Sequence, residues 1–162
     1  MASQLPPFPR LVFTVLEPIS LLAGVGGAIL DPDWFMSQQV ESSSLVIATP
    51  QSRIVTQQLG NCYFLAFVVA IAVLYTTSEV KVVRNYLVAL WIADITHIGI
   101  SAWGLGLDRA LAVQEWNAMA WGNIGCTVML TVKALLFLTR TAYFLGLFGP
   151  DKLPLASAKK GE

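Results

Sequence analysis

The chain has 162 residues, enough for one domain; 56% are hydrophobic and only 12% charged, with a mean hydropathy of +0.65. Soluble domains carry about 25% charged residues, so the composition excludes an ordinary soluble globule and points to a membrane protein. Zero net charge without a basic block excludes nucleic acid as a partner, and one histidine with two scattered cysteines, Cys62 and Cys126, excludes a standard zinc site.

Residues 1–10 read as a short N-terminal segment. A first apolar run follows from Leu11 to Leu30, long enough to cross about 30 Å of hydrocarbon. Glu17 and Pro18 interrupt it, and its length favours a retained helix over a cleaved signal peptide. Asp31-Pro32-Asp33 ends it and opens a polar loop through Ser42, Ser43 and Ser44. The second run is Ile54–Tyr75, and a tight connection, Thr76–Arg84, leads to the third, Tyr86–Trp103. Gly104–Asn117 connects to a fourth from Ala118 to about Phe137, and a basic tail, residues 149–162, follows Gly149-Pro150. The two cysteines fall inside apolar runs and read as small buried residues. Gly24-Val25-Gly26-Gly27 and Gly104-Leu105-Gly106 lack the strand–turn–helix setting of nucleotide loops.

The expected fold is therefore all-α: a four-helix transmembrane bundle over residues 11–148. With four spans, Arg10, Lys81, Arg84, Lys152, Lys159 and Lys160 share one side, while Arg53 and Arg109 lie on the other. The positive-inside rule then puts both termini in the cytosol.

Each polar side chain within lipid needs a partner inside the bundle. Helical periodicity groups Arg10, Thr14, Glu17, Ser20, Gly24 and Ala28 on one stripe of the first helix. It groups Gln57, Gln58, Asn61, Val68, Ala72 and Tyr75 on the second. Leu87, Trp91, Asp94, His97, Ile98 and Ser101 share a face of the third, and Met119, Gly122, Cys126, Met129, Lys133 and Arg140 line up on the fourth. An ionised residue at mid-bilayer costs at least ~2.5–3.5 kcal/mol on insertion scales, so Glu17, Asp94 and Lys133 must be paired, neutralised or solvated. Depth along the helices suggests an ion pair between Glu17 and Lys133. Asp94 and His97, three residues apart, lie deeper, near Asn61 and Asn123.

Asp94 and His97 on one face form a candidate acid/base pair; the alternative is that they only hold helices together through hydrogen bonds. Glu17 before Pro18 sits where a kink opens a pocket, or else it serves the ion pair. Trp116 fits an interfacial aromatic belt, whereas Trp121 lies deeper and its ring is placed to wall a pocket or stabilise a cationic carbon. Asn61, Tyr63, Trp91, Asn117, Trp121 and Asn123 are the candidate lining residues.

Glu17-Pro18, Asn61-Cys62-Tyr63, Arg84, Asp94-Ile95-Thr96-His97 and Trp116-Asn117…Trp121-Gly122-Asn123 together resemble a family of small fungal four-helix membrane proteins known mainly as a domain of unknown function. The resemblance covers roughly residues 10 to 148 and implies a setting in secondary-metabolite gene clusters, hence a lipophilic product pathway. In architecture alone, the chain is similar to emopamil-binding-protein-type sterol isomerases and to fungal membrane terpene cyclases. It departs from the former in lacking their spaced His and Glu pattern, and from the latter in having fewer helices.

The resulting expectation is an enzyme of the endoplasmic-reticulum membrane that cyclises or isomerises a terpenoid or polyketide-terpenoid without cofactor or metal. It would act by proton transfer, or as a pericyclase that enforces the conformation for a Diels–Alder-type cycloaddition. Asp94, His97 and Glu17 would carry the chemistry. A non-catalytic lipophile-binding or assembly subunit is the second class. A proton-coupled transporter is the third, and four helices without an internal repeat suit it poorly unless they oligomerise.

Overall fold

The computed structural model describes residues 4–39, 48–112, 114 and 132–152, without the side chains of 132–135. All regular structure among them is helical. Helix α1 is Pro7–Leu30, α2 Pro32–Ser37, α3 Pro50–Thr76, α4 Val80–Leu105, α5 Leu107–Leu111 and α6 Val132–Phe144. Three of these, α1, α3 and α4, are long and apolar enough to cross a membrane. Most of the fourth expected span lies outside the described residues; its described part runs on to Phe144, a turn beyond Arg140.

The start and stop signals are local. Proline occupies the first turn of α1, α2 and α3, where its missing amide has no helical partner to lose. Asp31 caps α2 by accepting from the Trp34 amide, and Thr49 and Ser52 form a reciprocal capping box at α3. These caps start α3 four residues earlier than the apolar run alone suggests. Gly106, with φ +82°, ends α4, and Gly146, with φ +74°, ends the C-terminal turn. The polar loop expected after Leu30 opens instead on α2, because Phe35 is buried against the bare face of Gly27.

Helix α1 departs from the α form over Val12–Leu16, which winds as a π-helix with the Glu17 amide bonded to the Val12 carbonyl. Pro18, just beyond, is the sequence cause: its ring crowds the carbonyl four residues back and offers it no donor.

Helices α1 and α3 run antiparallel and in contact along their length. Tyr75 donates to the Thr14 carbonyl at 2.6 Å near one end. The Tyr63 ring lies 3.0 Å from where a Cβ on Gly24 would be. A Cβ on Gly60 would fall 2.7 Å from Ile29 and 3.1 Å from Ala28. At the far end, Arg53 grips Asp33 with two bonds of 2.7 and 2.6 Å. Small residues thus let two backbones approach, as membrane helices require.

The buried side of α3 corrects the sequence reading. It is Thr56, Gly60, Ala70 and Leu74, with Tyr63 and Phe67 half-buried between them; Gln57, Gln58, Asn61, Val68 and Ala72 are exposed. Spacing of 4,3,4,3,4 makes this an apolar and small-residue seam. Cys62 is exposed as well, against the expectation of burial. The expected face of α1 holds from Thr14 onward, with Glu17 and Ala28 buried, but Arg10, on the other side of the π turn, is exposed; that of α4 holds, with Leu87, Trp91, Asp94, His97, Ile98 and Ser101 all at least half-buried.

The start of α1, the end of α3, the start of α4 and the end of α6 converge on one apolar cluster. It contains Leu5, Val12, Phe13, Ala70, Leu74, Val83, Leu87, Leu136 and Tyr143. The chain ends meet here too: the Lys152 amide bonds the Gln4 carbonyl at 2.7 Å, and the Phe8 and Phe148 rings lie 5.4 Å apart. The basic tail that begins at Gly149 is therefore tied down as far as Lys152. Tyr143 helps, donating to the Asp151 carboxylate at 2.9 Å.

Two outcomes follow. Gly60→Val forces a branched side chain into Ile29 and Ala28 and destabilises the protein by about 1–3 kcal/mol, the scale of overpacking; thermal unfolding in detergent measures it. Asp33, hydrogen-bonded by Arg53, is held below the ordinary carboxylate range. A depressed carboxyl contributes stability above its unfolded value, lost as pH falls through its folded one. Acid titration below the usual carboxylate range therefore loosens the α2–α3 end of the protein, and Asp33→Asn abolishes that pH dependence.

Candidate functional site

Arg140 is the largest fully buried side chain among the described residues, with no exposed surface. Its guanidinium donates through one terminal nitrogen to Glu17 of α1 and through the other to Asp94 of α4. The Phe13 ring lies beneath it, its centroid 5.4 Å from the guanidinium carbon. A charge buried this deeply is tolerated only when paired, and the pairing draws α1, α4 and α6 to one point.

Exposure grades across the three groups: the side chains of Arg140, Glu17 and Asp94 are 0%, 6% and 23% exposed. Two atoms remain without a hydrogen-bond partner among the described residues, Oε2 of Glu17 and Nε of Arg140. Both belong to the same pair, so the fork-to-fork contact that Arg53 makes with Asp33 is only half made here. Arginine presents five donors and gives up no proton. Among the described residues the site therefore holds two acids against one permanent cation.

Aromatic and hydroxyl groups of α4 and α6 brace it. Trp91, one turn before Asp94, donates its indole N–H to the Thr141 hydroxyl at 3.0 Å, and Thr141 donates to the Phe137 carbonyl. The Trp91 ring stacks on Phe137 with an interplanar angle of 8° and meets Phe144 edge-on. Tyr86 is half-buried against the apolar cluster, within electrostatic reach of Glu17 and Arg140.

Of the residues picked from sequence, Glu17 and Asp94 come together, Trp91 stands beside them, and His97 is half-buried one turn beyond Asp94 on the same face. Depth along the helices separated Glu17 from Asp94; a shared arginine unites them. Tyr63 lies on the α1–α3 contact at Gly24, and Asn61 is exposed. Asn117, Trp121 and Asn123 lie outside the described residues. Lys133, expected as the partner of Glu17, belongs to α6 two turns before Arg140, its side chain outside the described residues; the cation that Glu17 binds is Arg140. Arg140 read only as a member of the fourth helix's face, just past a run that ended at about Phe137. The signal that identifies it is the unbroken run through Thr141-Ala142-Tyr143-Phe144, which carries the helix one further turn. Among the described residues no group of three metal-ligating side chains forms.

Removing the guanidinium takes away the cation that Glu17 and Asp94 share. Arg140→Met is expected to cost about 3–5 kcal/mol, as breaking a buried ion pair does. Adding Glu17→Gln and Asp94→Asn should recover much of that loss. Accumulation in membranes and melting in detergent compare the two variants.

The chain belongs to the family described as DUF7704, a domain of unknown function, whose model matches residues 2–150. No curated protein and no solved structure matches it.

Proposed function

We propose that this member of DUF7704 is an integral-membrane acid/base enzyme that cyclises or isomerises a lipophilic substrate, with Glu17 and Asp94 as its two acids. The observation that carries the reading is the buried triad with one carboxylate oxygen, Oε2 of Glu17, left without a partner among the described residues. Two carboxyls facing one guanidinium in a medium of low dielectric constant leave one acid to hold a proton. A neutral buried carboxylic acid is a donor suited to protonating an alkene or a carbonyl. Asp94, the more exposed of the two, is the group a substrate meets first; Trp91 beside it offers an aromatic face to a developing cation, and His97 is its acid/base partner.

The apolar surface of α1, α3 and α4 supports a bilayer setting. The meeting of Gln4 with Lys152, together with the basic residues near that end, supports four spans with both termini cytosolic. The endoplasmic reticulum and fungal terpenoid or polyketide-terpenoid metabolism are the setting that the sequence resemblance favours. In a pericyclic variant of the reading, the same acid polarises a dienophile while the bundle holds the reactive conformation.

A second reading is favoured by the ion pairs that Arg140 makes to both α1 and α4: a lipophile-binding or assembly subunit in which the triad only joins helices.

Microsomes carrying the protein are incubated with the lipophilic precursor that accumulates in cells lacking the gene. The enzyme converts it, and Glu17→Gln and Asp94→Asn each lower conversion by roughly 10²-fold or more, the scale of general acid–base catalysis, in variants that still accumulate. Stoichiometric binding of an unaltered compound would support the subunit instead. Full conversion by the double variant Asp94→Asn/His97→Ala would remove the assignment of that pair.

A further inference from the structure

Pro18 leaves a defect four residues upstream. In an α-helix the Thr14 carbonyl accepts from the amide of residue 18, and proline has none. In lipid an unsatisfied carbonyl is costly, since no water replaces the lost donor. The donor comes instead from another helix: the hydroxyl of Tyr75, near the end of α3, reaches the Thr14 carbonyl at 2.6 Å. That carbonyl lies at the centre of the π-helical stretch Val12–Leu16.

The π turn has a geometric consequence. Pro9 and Ala28 are both buried. Nineteen steps of about 100° each would put them about 100° out of phase on a regular α-helix. One π turn absorbs one extra residue, which removes that offset and lets a single helix bury both Pro9 and Ala28, the latter against Gly60. Glu17 directly follows the turn, so the phase of the turn decides whether its carboxylate faces Arg140.

We propose that Tyr75 is a positioning residue for Glu17: its hydroxyl secures the π turn that Pro18 imposes and thereby aims the Glu17 carboxylate at Arg140. The pair of Pro18 and Tyr75 works as a unit, the proline opening the turn and the phenol closing the hydrogen-bond ladder from outside the helix. The assignment rests on Glu17 as the acid proposed above, but its test does not depend on turnover.

The full chain is purified in detergent and melted in four forms: unmodified, Tyr75→Phe, Pro18→Ala, and the double variant. Tyr75→Phe is expected to lower the melting temperature by several degrees. In the Pro18→Ala background, where a backbone amide again faces the Thr14 carbonyl, the same substitution should cost little. A second cycle pairs Tyr75→Phe with Glu17→Gln: the loss caused by Glu17→Gln should shrink once the phenol has gone, because the contact with Arg140 is already loosened. A hydroxyl that only strengthened the α1–α3 contact would leave that loss unchanged. Equal losses in both Pro18 backgrounds, no loss at all, or an undiminished Glu17→Gln effect would each overturn the proposal. If Tyr75→Phe fails to accumulate, recovery of accumulation by Pro18→Ala supports it and absence of recovery overturns it. Absence of precursor conversion by the unmodified protein tells against the enzyme and leaves both melting cycles standing.

Discussion

A guanidinium with no exposed surface in an apolar helical protein is the constraint on which the rest depends. Arginine cannot escape the cost of burial by losing its proton, so anions must be brought to it. They come from two different helices, Glu17 on α1 and Asp94 on α4. Once those contacts are required, the relative rotation and height of α1, α4 and α6 are fixed at one level. The apolar cluster, the short α3–α4 connection and the bond between Gln4 and Lys152 all lie at the end of the molecule where these helices converge. Phe13 and Trp91 supply aromatic surface around the charge, so the site is neither dry hydrocarbon nor open water.

Helix α3 is held differently, and the contrast separates two kinds of packing. No ionised residue joins it to α1 within the apolar stretch. Gly24, Gly60 and Ala28 let the backbones come close, and dispersion supplies the attraction that the hydrophobic effect cannot provide between helices in lipid. Charge returns only at the exposed far end, where Arg53 and Asp33 make a complete two-bond pair. There, screening by solvent makes the pair worth little, and nothing hinders ideal geometry. In the interior, Arg140 must serve two acids at once and cannot align fully with either. The geometrically better ion pair is thus the energetically minor one.

Much of this was legible in the sequence. Three of the apolar runs mark α1, α3 and α4, and the periodicity of Leu87, Trp91, Asp94, His97, Ile98 and Ser101 marks the inward face of α4. On α3 the reading failed because polar side chains were taken to point inward. Gln57, Gln58 and Asn61 lie within about three turns of the helix start, where exposure is cheap, and the true seam is made of small and apolar residues at heptad spacing. Arg140 was read only as one residue of a face of the fourth helix, because the apolar run was ended too early, at about Phe137. Pro18 was read as a possible kink, and its actual effect, a π turn closed by Tyr75, needs a partner 57 residues away that no local pattern announces. A shared cation between Glu17 and Asp94 is a property of three helices together, so no single periodicity contains it.

The shared arginine also limits how the two acids can cooperate. Because a guanidinium stays protonated in a protein, Arg140 does not serve as a base that relays a proton from Asp94 to Glu17. What passes is charge. When Asp94 is neutral, the guanidinium is attracted by Glu17 alone; when Asp94 is ionised, the pull is divided. In the chemistry proposed here, a substrate that takes a proton from, or gives one to, Asp94 would change the hold on Glu17 without touching it. Glu17, 6% exposed and behind the cation, would then act as the counterweight, its Oε2 open to the guanidinium as the hold on Asp94 weakens. Because neither Oε2 of Glu17 nor Nε of Arg140 has a partner among the described residues, that tightening needs no existing bond at Glu17 to break first.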